Sequence, residues 1–303
     1  MKEDGNQSNL KYFIAAIISP VIWGFMAVLV RNLKSYPPNQ ILNYRVFASL
    51  SILWLVVLVF RKAYLRQDLA YYKQQTSNKK YFWGILFLSS VLLTGNWLSY
   101  IYLVNYISVQ AGAFAYMVCP LLTAIGAFFI LKEKLSSLKW IAISISIVSA
   151  IILGWGHPME VFWSFFVAIL FAGYLIVQRS IQGFNKLNLL GLQLLLSCLF
   201  IIPLEVINHH TVPVTIGFWV NILILAVVFT IIPLFLSLYS MIKIPASTAG
   251  ILIYINPIIA FAVAYFYYNE GFTTQKLISY SLLGVAVVLF NWEYLKRILP
   301  KMA

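Results

Sequence analysis

Ten apolar stretches, each of about twenty residues and separated by short polar breaks, leave this chain few ways to fold. They fall at about 12–31, 40–60, 81–104, 109–131, 138–156, 159–178, 187–207, 217–239, 244–267 and 275–293. A helix rising about 1.5 Å per residue crosses a hydrocarbon layer of about 30 Å in about 20 residues, so each stretch has the length of one crossing. Inside a bilayer the backbone must satisfy its own hydrogen bonds, and continuous apolar runs do so as helices. The chain is 62% hydrophobic and only 10% charged over 303 residues, too little polar surface to cover a water-soluble core of this size. The expected fold is all-α and membrane-integral, with ten transmembrane helices.

The charges set the expected orientation. With the N-terminus inside, 17 of the 21 Lys and Arg fall on inner segments, and only Arg31, Lys34 and Lys276 fall outside. Arg45 lies within the second span. Cationic residues concentrate on the cytoplasmic side of short loops, so both termini are expected in the cytoplasm, in a plasma (bacterial inner) membrane. The net charge of +13 therefore reflects partnership with a lipid bilayer and not with nucleic acid, since the basic residues form no stripe on one folded face. The first run is too long for a signal-peptide core and lacks a small-residue cleavage site, so it reads as the first membrane helix. Cys119 and Cys198 lie inside apolar runs, form no CxxC or metal pattern, and read as packing residues.

A repeat divides the chain. The fourth run reads AGAFAYMVCPLLTAIGAFFILKEK from Ala111 to Lys134, and the ninth reads TAGILIYINPIIAFAVAYFYYNEG from Thr248 to Gly271. Aligning Pro120 with Pro257 brings Glu133 onto Glu270, thirteen residues later in both. Five runs separate the two copies, so the expected units are residues 1–156 and 157–303. Five is odd, so equivalent helices cross in opposite directions. Inverted repeats of this kind allow alternating access by rocking around a site near the midplane.

These residues resemble a known family. GNWLSYIYLVN (Gly95–Asn105), followed by AYMVCPL and the KEK that ends the fourth run, is similar to the first half of an EamA-type protein. YINP (Tyr254–Pro257) with Glu270 resembles the same element in the second half. The superfamily is the drug/metabolite transporters. The Asn96-Trp97 pair, Asn105, and Arg45 within NYRVFAS look closest to the RarD-like subgroup. The resemblance spans nearly the whole chain and rests on the order and spacing of short motifs. It implies two inverted five-helix repeats around a central cavity and secondary transport, often export, of amino acids, metabolites or drugs. One departure is visible: the RarD-like pattern tends to carry Asn-Pro in the fourth helix, and here Cys119 precedes Pro120. The polar contact of that Asn is missing, while Asn256-Pro257 is intact in the ninth.

Candidate functional residues follow from what is costly in lipid. Proline lacks an N–H, so Pro120 and Pro257 are expected to kink their helices and loosen the carbonyls of Tyr116 and Ile253. Arg45 is either a bidentate clamp for an anionic group or a side chain snorkelling to the interface. Gln193 occupies the equivalent stretch of the seventh run. Asn96, Trp97, Tyr100 and Asn105, with Tyr116, Tyr254 and Asn256, are candidates for substrate binding. The competing reading for the asparagines is helix packing. Tyr239 and Tyr174 are weaker candidates. Glu133 and Glu270, near helix ends, are candidate gates, against a bland reading of Glu133 as part of a solvated ion cluster with Lys132 and Lys134.

No HExxH, G-x-S-x-G, P-loop or Rossmann glycine run appears. No cofactor, metal or catalytic residue is expected, which disfavours a membrane-embedded enzyme; a non-transport scaffold is the other alternative. The expectation is a secondary transporter of a small-molecule substrate, with protons the candidate coupling ion.

Overall fold

The structure, a computed structural model, describes residues 3–74, 79–132, 134–181, 183–208, 211–240, 242–243, 252–292 and 296. It is helical throughout, and the described residues contain no strand. Helices α1 (Glu3–Gly24) and α2 (Met26–Asn32) meet at Phe25 and together carry the apolar span Leu10–Asn32. Next come α3 (Pro38–Phe60), α4 (Lys62–Gln74) and α5 (Lys79–Tyr102), the last continuing through a π turn at Leu103–Ile107. Then follow α6 (Val109–Ile130), α7 (Ser137–Gly156), α8 (Pro158–Ser180) and α9 (Lys186–Asn208). A second π turn, Val227–Ile231, joins α10 (Ile216–Ala226) to α11 (Ile232–Ser240). Helix α12 (Ile255–Ala262) runs into a third, Val263–Tyr267, and α13 (Thr274–Phe290) is last.

Local chemistry sets several of these boundaries. Pro38 and Pro158 open α3 and α8, where a missing N–H costs nothing. Ser108 caps α6 by accepting the Ala111 N–H at 2.9 Å, and Thr273 caps α13 through the Lys276 N–H at 3.2 Å. Among the described residues, eight helical spans are long and apolar enough to cross a membrane. The ninth and tenth expected runs carry the shorter apolar helices Ile255–Tyr267 and Thr274–Phe290. Residues 244–251, the start of the ninth run, lie outside the described residues. The polar connection Arg61–Lys80 holds a helix of its own, α4, whose Asp68 accepts the Asn185 N–H at 3.0 Å just before α9.

Only 28–56% of each span's most apolar window is buried in the protein. The remainder is large and apolar: Leu55, Phe60, Ile151, Trp155 and Phe166 all face outward. In water such a surface would cost about 25 cal/mol per Å², so its natural solvent is lipid. The protein is an integral membrane protein. Inside, α6 packs on α8 and α12, α5 on α8, α1 on α11 and α12, α3 on α9, and α7 on α13. Gly24 makes the α1–α12 approach possible: a Cβ there would fall 2.6 Å from Ile259 Cβ. Helices α7 and α13 are tied reciprocally, Ser149 Oγ donating to the Ser279 carbonyl and Ser279 Oγ to the Ser149 carbonyl, each at 2.8 Å.

Candidate functional site

A cavity of about 100 Å³ lies between α1, α2, α3, α6, α8 and the start of α12. Its wall is mainly apolar and aromatic, with Trp23, Tyr116 and Phe171 prominent. Cys119, Pro120 and Asn256 also line it, and among the described residues Arg45 supplies its single charged side chain. Arg45 is 2% exposed. Its Nε and Nη2 donate to Thr230 Oγ1 at 3.2 and 3.0 Å, and its guanidinium lies 4.1 Å from the Trp97 ring centroid. Among the described residues Nη1 has no hydrogen-bond partner. Thr230 sits in the π turn of the α10–α11 span and donates to the Leu225 carbonyl at 2.9 Å, which leaves its oxygen lone pairs for Arg45. Arg45 is thus held in place and does not reach for an interface.

The remaining candidates divide. Tyr100 and Tyr116 stand with ring centroids 5.3 Å apart beside this cluster, and Gly112 lets α6 pass close to Tyr100. Asn96 faces away, donating to the Val167 carbonyl at 2.9 Å and so tying α5 to α8. Gln193 donates to Ser89 Oγ at 2.7 Å, between α9 and α5. Both are fully buried among helices and neither lines the cavity. Asn105 is buried in the first π turn, and among the described residues neither of its side-chain polar atoms has a partner. Tyr254 is buried next to the cavity-lining Ile253 and Asn256. Tyr174 and Gln178 share a hydrogen bond at 2.7 Å on α8.

The two prolines differ locally. Pro120 lies inside a continuous α6. Pro257 stands in the first turn of α12, where no N–H is required of it. The Ile253 carbonyl, expected to be loosened, instead accepts the Asn256 N–H at 3.2 Å, and Ile253 and Tyr254 form a turn. Pro257 therefore follows a break in place of kinking a helix.

Glu270 makes the densest polar cluster. Asn269 takes a left-handed φ of 52°, a conformation its short amide tolerates, and turns the chain so that Glu270 meets the N-terminus of α6. The carboxylate accepts the Val109 and Gln110 N–H groups at 2.9 and 3.0 Å and pairs with Arg31 Nη2 at 2.9 Å. With Ser108 on the third amide, the positive end of α6 is fully met by oxygen acceptors. Arg31 also donates to the Val104 carbonyl at 2.9 Å and lies 4.7 Å from the Tyr268 ring centroid. Gln110 Nε2 donates to the Glu270 carbonyl, and its Oε1 accepts from Lys276 Nζ, which bonds Glu160 at 2.7 Å. Glu133 lies outside the described residues.

Sequence reading missed Arg31, Gln110, Glu160 and Lys276 as partners, and Thr230 entirely. Glu270 has no cation near it in sequence; its partner Arg31 is 239 positions away. The repeated Pro-to-Glu spacing signalled Glu270, but nothing local signalled its partners.

Comparison with known proteins agrees with this architecture. Residues 10–155 and 158–292 each match the EamA-like transporter family. The uncharacterized transporter YojE of Bacillus subtilis (strain 168) is 28% identical, over 94% of this chain and 95% of its own. Protein RarD of Streptomyces exfoliatus is 25% identical over 91% of this chain and 86% of its own, and protein RarD of Escherichia coli (strain K12) is 23% identical over 91% and 92%. A solved crystal structure superposes with a TM-score of 0.63 over 92% of this chain and 95% of that one, at 14% identity, which speaks for a shared fold.

Proposed function

Because this chain belongs to the EamA-like transporter family, on its RarD-like side, and is a membrane transporter, we propose that it exports a small molecule by alternating access around the Arg45 cavity. The observation that carries the reading is the cavity itself. It is walled by helices from both family-matched segments, with Arg45 and Tyr116 from one and Phe171 and Asn256 from the other. A site at the seam of two related halves is what rocking carriers use.

Packing supports an inverted pair of five-helix units, 1–156 and 157–303. Exchanging the halves maps the α5–α8 contact onto α11–α1, and α6–α8 onto α12–α1. The contacts α3–α9, α6–α12 and α7–α13 map onto themselves, the last through the reciprocal Ser149–Ser279 pair. The uneven distribution of Lys and Arg supports both termini in the cytoplasm of a bacterial inner membrane. On that orientation the Glu270 cluster closes the outer end. Tyr116 and Pro120, lining the cavity, stand about 10–15 Å along α6 from the Glu270-bound amides. We assign Glu270 with Arg31 as the outer gate and Glu133 as its repeat counterpart at the inner end. Arg45, Trp97, Tyr100, Tyr116, Tyr254 and Asn256 form the binding region. Asn96, Asn105 and Gln193 buttress it, and Pro120 within α6 and the turn before Pro257 give the two repeats a place to flex.

The test is flux in proteoliposomes with and without an imposed proton gradient. Saturable flux of a small metabolite, driven by the gradient, is the expected result. Flux requiring ATP in the purified chain would count against secondary transport.

A further inference from the structure

We infer that the transported molecule is a small organic monoanion, a carboxylate on an uncharged apolar or aromatic body. This rests on the transporter reading above and narrows it to a substrate class.

A guanidinium has five N–H donors and loses its charge only with great difficulty. Arg45 keeps that charge with 2% exposure. Among the described residues no carboxylate lies within 4.0 Å of it, although Arg31 and Lys276 both have one. The shortage is a property of the whole chain, which contains only eight Asp and Glu. Glu160 and Glu270 serve the cluster at the α6 N-terminus, Asp68 serves the start of α9, and Glu205 accepts from Asn43. Glu3 and Asp4 open α1, while Glu133 and Glu293 follow the ends of α6 and α13 in sequence. Thr230 and Trp97 hold the guanidinium, but neither neutralises it, and Nη1 has no partner among the described residues. A charge buried in a membrane span without a counter-charge is costly, so the missing anion comes from outside the chain.

The cavity limits what that anion can be. One cation matches one negative charge; a phosphate dianion would need a second, and among the described residues Arg45 is the only charged group lining the wall. A carboxylate oxygen suits the Nη1 N–H groups that Thr230 leaves unused. The rest of the wall, including Trp23, Tyr116, Phe171 and Leu175, fits an apolar or aromatic body. A primary amine would find aromatic faces but also the repulsion of Arg45.

The test compares four probes of one skeleton: phenylacetate, phenylacetamide, phenethylamine and L-phenylalanine. Their affinities for purified protein in detergent are measured by thermal stabilisation, and their fluxes in proteoliposomes. Phenylacetate is expected to bind at least tenfold tighter than the amide or the amine, and tighter than the zwitterion. Arg45→Gln should abolish that preference, and Arg45→Lys should restore part of it. Equal binding of the carboxylate and the amide, or a carboxylate no better than its partners across the panel, would overturn the inference without any variant having to fold. Carboxylate-selective binding with no flux would keep the anion site and sink the transport reading. Flux of the amine or amide in preference to the carboxylate would do the reverse.

Discussion

Arg31 and Arg45 stand in neighbouring spans, and the fold treats them in opposite ways. Arg31 finds a carboxylate, a carbonyl and an aromatic face. Among the described residues Arg45 finds a hydroxyl and an indole, no carboxylate, and no partner for one nitrogen. A helix end surrounded by complementary groups gains rigidity, whereas a charge held but not neutralised retains affinity for something else. On the proposed reading the same residue type serves closure at one site and binding at the other.

The largest effect expected from breaking this contrast is on stability. Glu270→Gln removes the charge that meets both Arg31 and the α6 N-terminus, and should cost about 1–3 kcal/mol in reversible unfolding in detergent. Arg45→Gln should leave that stability unchanged or raise it, because it removes an uncompensated charge. A loss as large as that of Glu270→Gln would mean that Arg45 is a structural tie after all. Next in size, Trp97→Leu removes the ring under the guanidinium. Losing about 1 kcal/mol of cation–π attraction should raise the apparent KM of the transported molecule about fivefold, with the Tm little changed. An Arg31→Gln and Glu270→Gln double-mutant cycle should show a coupling of about 1 kcal/mol, and a value near zero would reduce the proposed outer gate to a set of independent bonds. The smallest effect belongs to Asn96→Ala. It should cost about 0.6 kcal/mol of stability, as a helix–helix tie does, and leave the KM untouched. A shifted KM would return Asn96 to the binding site.

Much of the site was legible as residue types in unusual places. Arg45 inside a span, the repeated Pro120–Glu133 and Pro257–Glu270 spacing, and the tyrosines flanking the prolines all stood out against apolar neighbours. Their roles were less legible. Asn96 and Gln193 look in sequence like cavity residues, but their helices turn them toward Val167 and Ser89. Pro257 reads as a mid-span kink, but the turn at Ile253–Tyr254 puts it at a helix start. Lys276 reads as a loop charge, yet it is buried against Gln110 and Glu160.

Sequence alone determined the membrane class and the apolar runs, with their expected orientation and expected internal repeat. These depend on hydropathy and charge summed over short windows, and such sums need no knowledge of what lies across the bundle. Tertiary structure alone decided which charges are answered. Arg31 meets Glu270 across 239 residues and Arg45 meets Thr230 across 185, because helix faces are matched only when the spans assemble, and a buried polar group is judged by its neighbours in space.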